Sequence, residues 1–391
     1  MYRIGKEEIQ AVTKVIESKE MFKCNGGLQE TMHCEREMRD LFGCQNAILM
    51  TSGKAALISA MVACGIGPGD EVIVPAYTYI ASAMAVLATG AIPVIAEVDE
   101  TCTIDVGDVE KRISKHTKAI MPVHIQGFPC DMDALMKLAE KYNLKIIEDA
   151  CQADGGSYKV KRLGTIGHVG ALSFNQFKVI TSGEGGALLT NDRTIFERAF
   201  IYHDSSAIAY FGGQLDEINE PQFCGTEYRT NEITAAILRE QLKKLDGILT
   251  DLRKNKKIIM DALQNDCRFI PSNDSEGDCG TTMTFAFDSE AQARQFSKSD
   301  GVHGTLPIDT GKHVFTRWTP VLEKRGAFHP LMDPFKMDAN KNLNHNYSPD
   351  MCPNTLDILA RTVHVGINPD WTGAELEKVI AACKAAGKTL A

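Results

Sequence analysis

The chain has 391 residues, of which 44 % are apolar and 24 % charged, so it is long enough for two or three globular domains. Its net charge of −9 argues against a basic nucleic-acid-binding surface, and no apolar run reaches the ~20 residues that a membrane-spanning helix needs. The 12 cysteines lack the spacing of a metal site or disulfide framework, and the N-terminus lacks the apolar stretch of a signal peptide. We therefore predict no metal, no nucleic-acid or membrane partner, and a reducing, cytoplasmic compartment.

The first 150 residues are predicted to alternate between helices and short strands. Apolar residues at helical spacing predict two helices over 6–20 and 29–42. The predicted strands that follow are 46–50, 71–75, 92–98, 118–124 and 144–147, and the helices between them end near 64, 89, 115 and 142. Short loops between these elements predict right-handed crossovers and a mostly parallel sheet covered on both faces. Functional side chains should then cluster at the carboxyl ends of the strands.

A polar loop between two further apolar runs, 169–174 and 187–190, carries a single lysine, Lys178. Residues 173–186 read SFNQFKVITSGEGG. A lysine displayed beside a serine and glycines can hold an aldehyde cofactor as a Schiff base, with the hydroxyl and backbone N–H groups on the cofactor's phosphate. Taken alone, the same stretch is more typical of a surface lysine on a hairpin loop.

The second half of the chain is predicted to form a smaller domain. The loop 203–227 is long enough to suggest a functional or interface role. A long amphipathic helix is predicted over 231–264. This helix is either continuous or broken near Gly247. Beyond it we predict strands at 281–287 and 362–366, helices at 290–298, 356–361 and 375–386, and loops over 301–350. We place a large domain, with an N-terminal helical arm, at 1–245 and a small α+β domain at 246–391.

Six motifs, in order, resemble those of the DegT/StrS family of sugar aminotransferases, which are pyridoxal-phosphate enzymes of fold type I. The matching stretches are TSGKAAL at 51–57, GDEVIVP at 69–75 with Thr78 and Tyr79, PVH at 122–124 with Gly127, IEDACQA at 147–153, SF at 173–174 with Lys178, and GEGG at 183–186. Order and spacing match from about residue 4 to 265, and more loosely thereafter. The resemblance implies an α/β fold with a large, mostly parallel sheet domain and a smaller C-terminal α+β domain.

The resemblance implies the catalytic residues. Lys178 matches the Schiff-base lysine, which also moves a proton between the substrate Cα and the cofactor. Asp149 matches the carboxylate that keeps the pyridine nitrogen protonated. Tyr79 matches the aromatic residue that stacks on the ring, and Gln152 lies beside the ring and its phenolic oxygen. Without the resemblance, Asp149 is equally typical of a helix N-cap and Tyr79 of a core aromatic residue.

The resemblance also implies phosphate ligands and a shared site. The predicted ligands are the backbone of Gly53, Lys54 and Ala55, the Ser173 hydroxyl, and Arg229. Lys54 stands where the family often has threonine. Arg229 stands where many members have asparagine. An arginine at this position is expected to bind either the phosphate or a substrate carboxylate. Its segment, 228–232, matches the region that reaches into the neighbouring subunit, which implies a homodimer with shared active sites.

Glu184 either orients the lysine loop or contacts the substrate, and His124 is either a core histidine or a substrate contact. Loop position alone nominates further substrate contacts, namely His203, His313, Arg317 and Trp318. The implied reaction moves an amino group from glutamate or glutamine to a keto or aldehyde sugar through pyridoxal and pyridoxamine phosphate. The acceptor is a nucleotide-linked sugar, a cyclitol or a keto-sugar acid. Two alternatives are a non-catalytic protein on the same fold and a pyridoxal-phosphate sugar dehydratase. The first predicts loss of Lys178 or Asp149, and the family's dehydratases have histidine in place of the lysine.

Overall fold

A computed structural model describes residues 3–23, 27–206, 218–343 and 345–389. Its largest sheet has seven strands in the order β1-β9-β8-β5-β4-β2-β3. The strands are β1 (Asn46–Met50), β2 (Glu71–Pro75), β3 (Ile92–Ala96), β4 (Thr117–Ile120), β5 (Lys145–Asp149), β8 (Val169–Ser173) and β9 (Gly186–Thr190), with a small hairpin, β6 (Ser157–Tyr158) and β7 (Lys161–Arg162), before β8. Only β9 runs antiparallel to its neighbours in this sheet. The predicted mostly parallel sheet is confirmed.

Helices cover both faces of the sheet because its strands are apolar on both sides. Ala47 and Leu49 of β1 belong to one apolar core, whereas Ile48 and Met50 belong to the core on the opposite face. The helices of this part are α1 (Lys6–Ser18), α2 (Glu30–Phe42), α3 (Gly53–Ala63), α4 (Ala81–Ala88), α5 (Val106–Arg112), α6 (Met132–Tyr142) and α7 (Arg193–His203). This two-sided burial is what a parallel sheet requires.

A long helix, α8 (Glu232–Leu263), connects the part of the chain that builds the large sheet to the C-terminal region. It is continuous through Gly247, so the alternative of a break there is wrong. Arg239 of α8 bonds Glu37 of α2, whereas Asn255 bonds the backbone of Asn368 in the C-terminal region. The predicted domain boundary at 245 falls inside this helix and stays a prediction. Residues 207–217 of the long loop predicted at 203–227 lie outside the described residues.

The C-terminal region builds a small antiparallel sheet. Its order is β10 (Thr282–Ala286), β12 (Thr362–Gly366) and β11 (Gly304–Thr305). The helices around it are α9 (Glu290–Ser297), α10 (Thr319–Leu322), α11 (Pro353–Ala360) and α12 (Gly373–Lys388). As predicted, 301–350 consists mostly of loops, with short 3-10 turns between them. One part of that region, 312–315, extends to the carboxyl edge of the large sheet.

Candidate active site

Lys178 lies in the loop between β8 and β9, at the carboxyl edge of the parallel strands. The base of the loop is closed by two hydrogen bonds, from the Phe174 amide to the Gly185 carbonyl (2.9 Å) and from the Ser182 amide to the Phe174 carbonyl (3.0 Å). The Lys178 amide donates to the Asn175 carbonyl at 3.1 Å. Because β9 turns straight back along β8, the loop holds the lysine at this edge.

The Asp149 carboxylate is buried at the end of β5 and is positioned by two donors. Its Oδ2 accepts a hydrogen bond from Ser82 Oγ at 2.7 Å, and its Oδ1 accepts one from the Cys151 amide at 3.2 Å. Ser82 lies in the first turn of α4 and also bonds Thr78 Oγ1 at 2.8 Å. Sequence reasoning missed Ser82. The one signal was its place in the first turn of the helix that follows the Thr78-Tyr79 motif.

Tyr79 and His313 come together although they are far apart in the chain. The Thr78 amide donates to the His313 carbonyl and the Ile80 amide to the Lys312 carbonyl, each at 2.9 Å, so 312–315 runs alongside 76–80. The rings of Tyr79 and His313 have centroids 5.4 Å apart, and Tyr79 is 41 % exposed. Burial lowers the pKa of His313, and the charge of Lys178 acts in the same direction.

The N-terminus of α3 offers backbone donors to an anion. Ser52 caps the helix by accepting a hydrogen bond from the Ala55 amide at 3.1 Å. Within the described residues, the amides of Gly53 and Lys54 make no hydrogen bond, and these are the first two of the helix. Unpaired amides and the helix dipole together favour a phosphate at such a position. The Lys54 side chain is exposed to solvent.

Two glycines let this helix end approach β8 and β9. A Cβ on Gly53 would lie 2.6 Å from Cys151 Sγ and 2.8 Å from Ser173 Cβ. A Cβ on Gly186 would lie 2.2 Å from the Ser52 carbonyl carbon. The close packing brings Ser173 beside the helix N-terminus, where its hydroxyl can join the amides on one phosphate.

His124 belongs to the core. It is fully buried, its Nε2 donates to Glu148 Oε2 at 3.1 Å, and its Nδ1 accepts a hydrogen bond from the Cys130 amide at 3.1 Å. Glu148 is further satisfied by three backbone amides, those of Gly164, Ile166 and Gly167, at 2.8, 2.7 and 2.6 Å. Of the two readings of His124, the structure supports the core histidine.

Arg229 and His203 both have partners within the protomer. The Arg229 guanidinium pairs with Asp204 and, at 2.6 Å, with Glu227. His203 is fully buried, with Nδ1 2.6 Å from the Phe200 carbonyl and Nε2 3.1 Å from Lys23 Nζ. Burial and the charge of Lys23 lower the pKa of His203 well below its usual value. The predicted phosphate or substrate contact of Arg229 and the substrate contact of His203 stay predictions.

The remaining predicted residues lie around the cleft. Gln152 Oε1 accepts a hydrogen bond from the Gln126 amide at 3.1 Å, which holds its side chain near the end of β5. Glu184 is exposed in the Lys178 loop, and Arg317 is exposed on the segment after His313. Neither of these exposed side chains has a contact that fixes its role, so the roles predicted for Glu184 and Arg317 stay predictions.

The arrangement fits pyridoxal phosphate. It provides bare amides and a hydroxyl for the phosphate, a half-exposed tyrosine ring for stacking, a buried and hydrogen-bonded carboxylate, and an amine on a short loop. Among the described residues no group of histidine, cysteine and acidic side chains could hold a metal ion. The described helices also include none that is long and apolar enough to cross a membrane.

Comparison with known proteins identifies the family. A model of the DegT/DnrJ/EryC1/StrS aminotransferase family matches residues 2–305. The GDP-perosamine synthase of Escherichia coli O157:H7 is 41 % identical over 211 residues, which are 54 % of this chain and 56 % of that protein. The spore coat polysaccharide biosynthesis protein SpsC of Bacillus subtilis strain 168 is 30 % identical over 397 residues, covering 97 % of this chain and 94 % of that protein.

A solved structure with the same fold is that of an aminotransferase from Psychrobacter cryohalolentis. It superposes with a TM-score of 0.80 at 26 % identity and covers 100 % of this chain and 99 % of that chain. The chain therefore belongs to the DegT/DnrJ/EryC1/StrS aminotransferase family, which confirms the predicted family, the fold-type I architecture and the class of pyridoxal-phosphate-dependent aminotransferases.

Proposed function

We propose that this protein transfers an amino group from glutamate or glutamine to a keto sugar in amino-sugar or polysaccharide biosynthesis. The observation that carries the proposal is the convergence of Lys178, the Ser82-bound Asp149 carboxylate and the bare N-terminus of α3 at one edge of the sheet. The name of the E. coli relative, GDP-perosamine synthase, supports a nucleotide-linked keto sugar as the first acceptor to test, and the name of the B. subtilis relative supports a role in polysaccharide biosynthesis.

Each residue has a separate task in this proposal. When bound, pyridoxal phosphate supplies an electron sink for the bonds at the substrate Cα. Lys178 Nζ would hold the cofactor covalently and, when free, would carry the proton to and from the reacting carbon. Asp149, held by Ser82 and the Cys151 amide, keeps the ring nitrogen protonated.

The surrounding residues bind and orient. The Gly53 and Lys54 amides and the Ser173 hydroxyl hold the phosphate at the end of α3. Tyr79 covers one face of the ring, and His313 packs against Tyr79 from the C-terminal region. The contact between His313 and Tyr79 supports a role for the 301–350 loops in binding the acceptor sugar.

We also propose a homodimer with shared active sites. Phe177, next to Lys178, is 80 % exposed, and Phe328, Leu331 and Met332 form a second group of exposed apolar side chains. Large apolar side chains grouped on a surface are typical of an interface. A cytoplasmic setting is supported by the cysteines of the described residues, all of which are free thiols.

A spectroscopic assay tests the function. We expect the protein to gain a visible absorbance band with pyridoxal phosphate, to lose it when glutamate or glutamine is added, and to regain it with a suitable keto sugar. Lys178→Ala should lower the transamination rate by about 10²- to 10⁴-fold or more, because it removes the group that forms the covalent link and moves the proton. Mass spectrometry of the sugar product checks that the amino group has been transferred to it.

The matched control is Lys118→Ala, which removes a lysine exposed on β4. It should leave the absorbance band and the rate unchanged. A wild-type protein that forms no visible band with the cofactor would contradict the proposal. A dehydrated sugar in place of an amino sugar would favour the dehydratase alternative.

A further inference from the structure

Gln126 adopts a backbone conformation that is unusual for a residue with a side chain. It lies in the short turn after β4, and its φ of 54° is in the left-handed region. Residues other than glycine seldom adopt this region unless the surrounding structure holds them there. Gln126 stands between His124 and Gly127 of the predicted motifs, and neither the motifs nor the proposed function gives it a role.

The turn at Gln126 is held by residues of the C-terminal region. Thr281 Oγ1 donates to the Gln126 backbone carbonyl at 2.6 Å, and Thr282 Oγ1 donates to the side-chain oxygen of Gln126 at 3.0 Å. The Cys279 amide donates to the Gly127 carbonyl at 3.1 Å, and a Cβ on Gly127 would lie 2.7 Å from Cys279 Cβ. The start of β10 and the residues before it therefore fix the conformation of the turn.

The backbone amide of Gln126 contacts the side chain of Gln152. It donates to Gln152 Oε1 at 3.1 Å. A backbone N–H can bond only to an acceptor, so the Gln152 side chain must present its oxygen, and not its nitrogen, to Gln126. The NH2 group of Gln152, Nε2, remains as a donor, and among the described residues it makes no hydrogen bond. The contact with Gln126 thus decides which end of the Gln152 amide stays available.

Gln152 lies at the candidate active site. Cys151, the preceding residue, donates its amide to Asp149, and a Cβ on Gly53 at the start of α3 would lie 2.6 Å from Cys151 Sγ. The turn that carries Gln152 is therefore beside both the Asp149 carboxylate and the predicted phosphate position. A free N–H donor at this place suits the phenolic oxygen on the ring of pyridoxal phosphate, because that oxygen accepts hydrogen bonds.

We propose, on the basis of the function proposed above, that Gln126 is a positioning residue for Gln152. Its amide holds the Gln152 oxygen, so Gln152 offers Nε2 to the phenolic oxygen of the bound cofactor. Thr281 and Thr282 hold Gln126 in the left-handed conformation that directs this amide. The C-terminal region thereby acts on the cofactor through the hydrogen bonds of Gln126.

Thr281→Val tests the proposal because it removes a hydroxyl that holds Gln126 with little change of shape. A donor on the phenolic oxygen favours the form of the cofactor that has lost a proton. In the cofactor-loaded protein, we therefore expect the pH at which the visible absorbance band changes to rise by about half a unit or more. Gln126→Val should move the band in the same direction, because a branched side chain disfavours the left-handed region. Gln126→Gly, which accepts that region and keeps the amide, should not.

A second substitution at Gln152 separates positioning from a general loss of structure. Gln152→Leu removes the donor itself and should raise the pH of the band change by at least as much as Thr281→Val does. Adding Thr281→Val to Gln152→Leu should then produce no further shift, because both changes act through the same hydrogen bond. An equal shift from Thr281→Val with and without Gln152 would show that the threonine acts by another route, and the role of Gln126 would be wrong.

Thr284→Val is the matched control, because it removes a buried hydroxyl of β10 that bonds His364 at 2.7 Å and not Gln126. It should lower thermal stability without moving the band. If the band of folded Thr281→Val or of folded Gln126→Val matches that of wild type at every pH, the positioning role is wrong. A wild-type protein without any cofactor band would instead overturn the proposed function itself, so the two failures are distinguishable.

Discussion

One hydroxyl determines how the Asp149 carboxylate is presented to the site. Asp149 and Glu148 are adjacent on β5 and therefore point to opposite faces of the sheet. Glu148 is satisfied within the core by His124 and backbone amides, whereas Asp149 relies on Ser82 for its Oδ2. Of these two adjacent acidic residues, one is thus satisfied within the core and the other is presented at the candidate site.

Ser82→Ala should weaken cofactor binding. Losing the 2.7 Å hydrogen bond leaves a buried carboxylate oxygen without its donor, which costs about 1–3 kcal/mol. We expect roughly tenfold weaker binding of pyridoxal phosphate, measured by titrating the apoprotein and following the visible band. Ser59→Ala is the control, because the Ser59 hydroxyl is buried on α3 without a hydrogen-bond partner. Equal effects of the two substitutions would contradict the assigned role of Ser82.

At the scale of elements, the phosphate position depends on close contact between the start of α3 and the strands β8 and β9. Gly53 and Gly186 permit this contact, since a Cβ at either position would lie within 3 Å of atoms of the opposing segment. The helix supplies amides and the strand supplies Ser173. The proposed phosphate site therefore combines donors from both elements.

Gly186→Ala should therefore displace the end of α3 from β9. We expect weaker cofactor binding together with lower stability by about 1–3 kcal/mol, because the new methyl group overlaps the Ser52 backbone. Urea unfolding and cofactor titration measure the two effects.

The matched control is Gly247→Ala, on the exposed side of α8, where a Cβ meets no atom within 4 Å. Alanine there should raise the free energy of unfolding by up to about 1 kcal/mol, because it favours the continuous helix, and should leave cofactor binding unchanged. A Gly186→Ala variant with unaltered cofactor affinity would show that the phosphate lies elsewhere.

At the scale of the whole molecule, the proposed dimer makes each site depend on two chains. A C2 dimer in which Lys178 comes from one chain and Arg229 from the other can be tested by mixing variants. Lys178→Ala and Arg229→Ala should each have low activity alone. After unfolding and refolding together, the mixture should recover about a quarter of the wild-type activity, because about half of the dimers would contain one intact site.

Sedimentation and activity measured on the same samples check this result. The control is a mixture of Lys178→Ala with Asp149→Asn, since both residues lie at the same sheet edge of one chain and leave no intact site in a mixed dimer. A monomeric protein, or a lack of recovery in the first mixture, would contradict the shared site. Full activity of Arg229→Ala would show that its ion pairs with Asp204 and Glu227 are structural only.

The sequence by itself determined the class of fold and nominated the candidate catalytic residues. The alternation of short apolar strands with helices requires a parallel sheet covered on both faces, because that pattern buries both sides of each strand. Lys178, Asp149, Tyr79 and the TSGKAAL turn could be read from motifs because they lie at strand ends, where local sequence sets the backbone. The long helix α8 followed from periodicity, and only its continuity through Gly247 needed the structure.

The tertiary structure alone decided which side chains complete the site. Ser82 and His313 carry no local motif, since each acquires its place in the candidate site from a contact with another element. His203 and Arg229 looked equally available in the sequence, yet both have partners inside the protomer. Local patterns specify how the backbone runs, whereas hydrogen-bond partners and buried charges depend on residues far apart in the chain, which only the folded structure brings together.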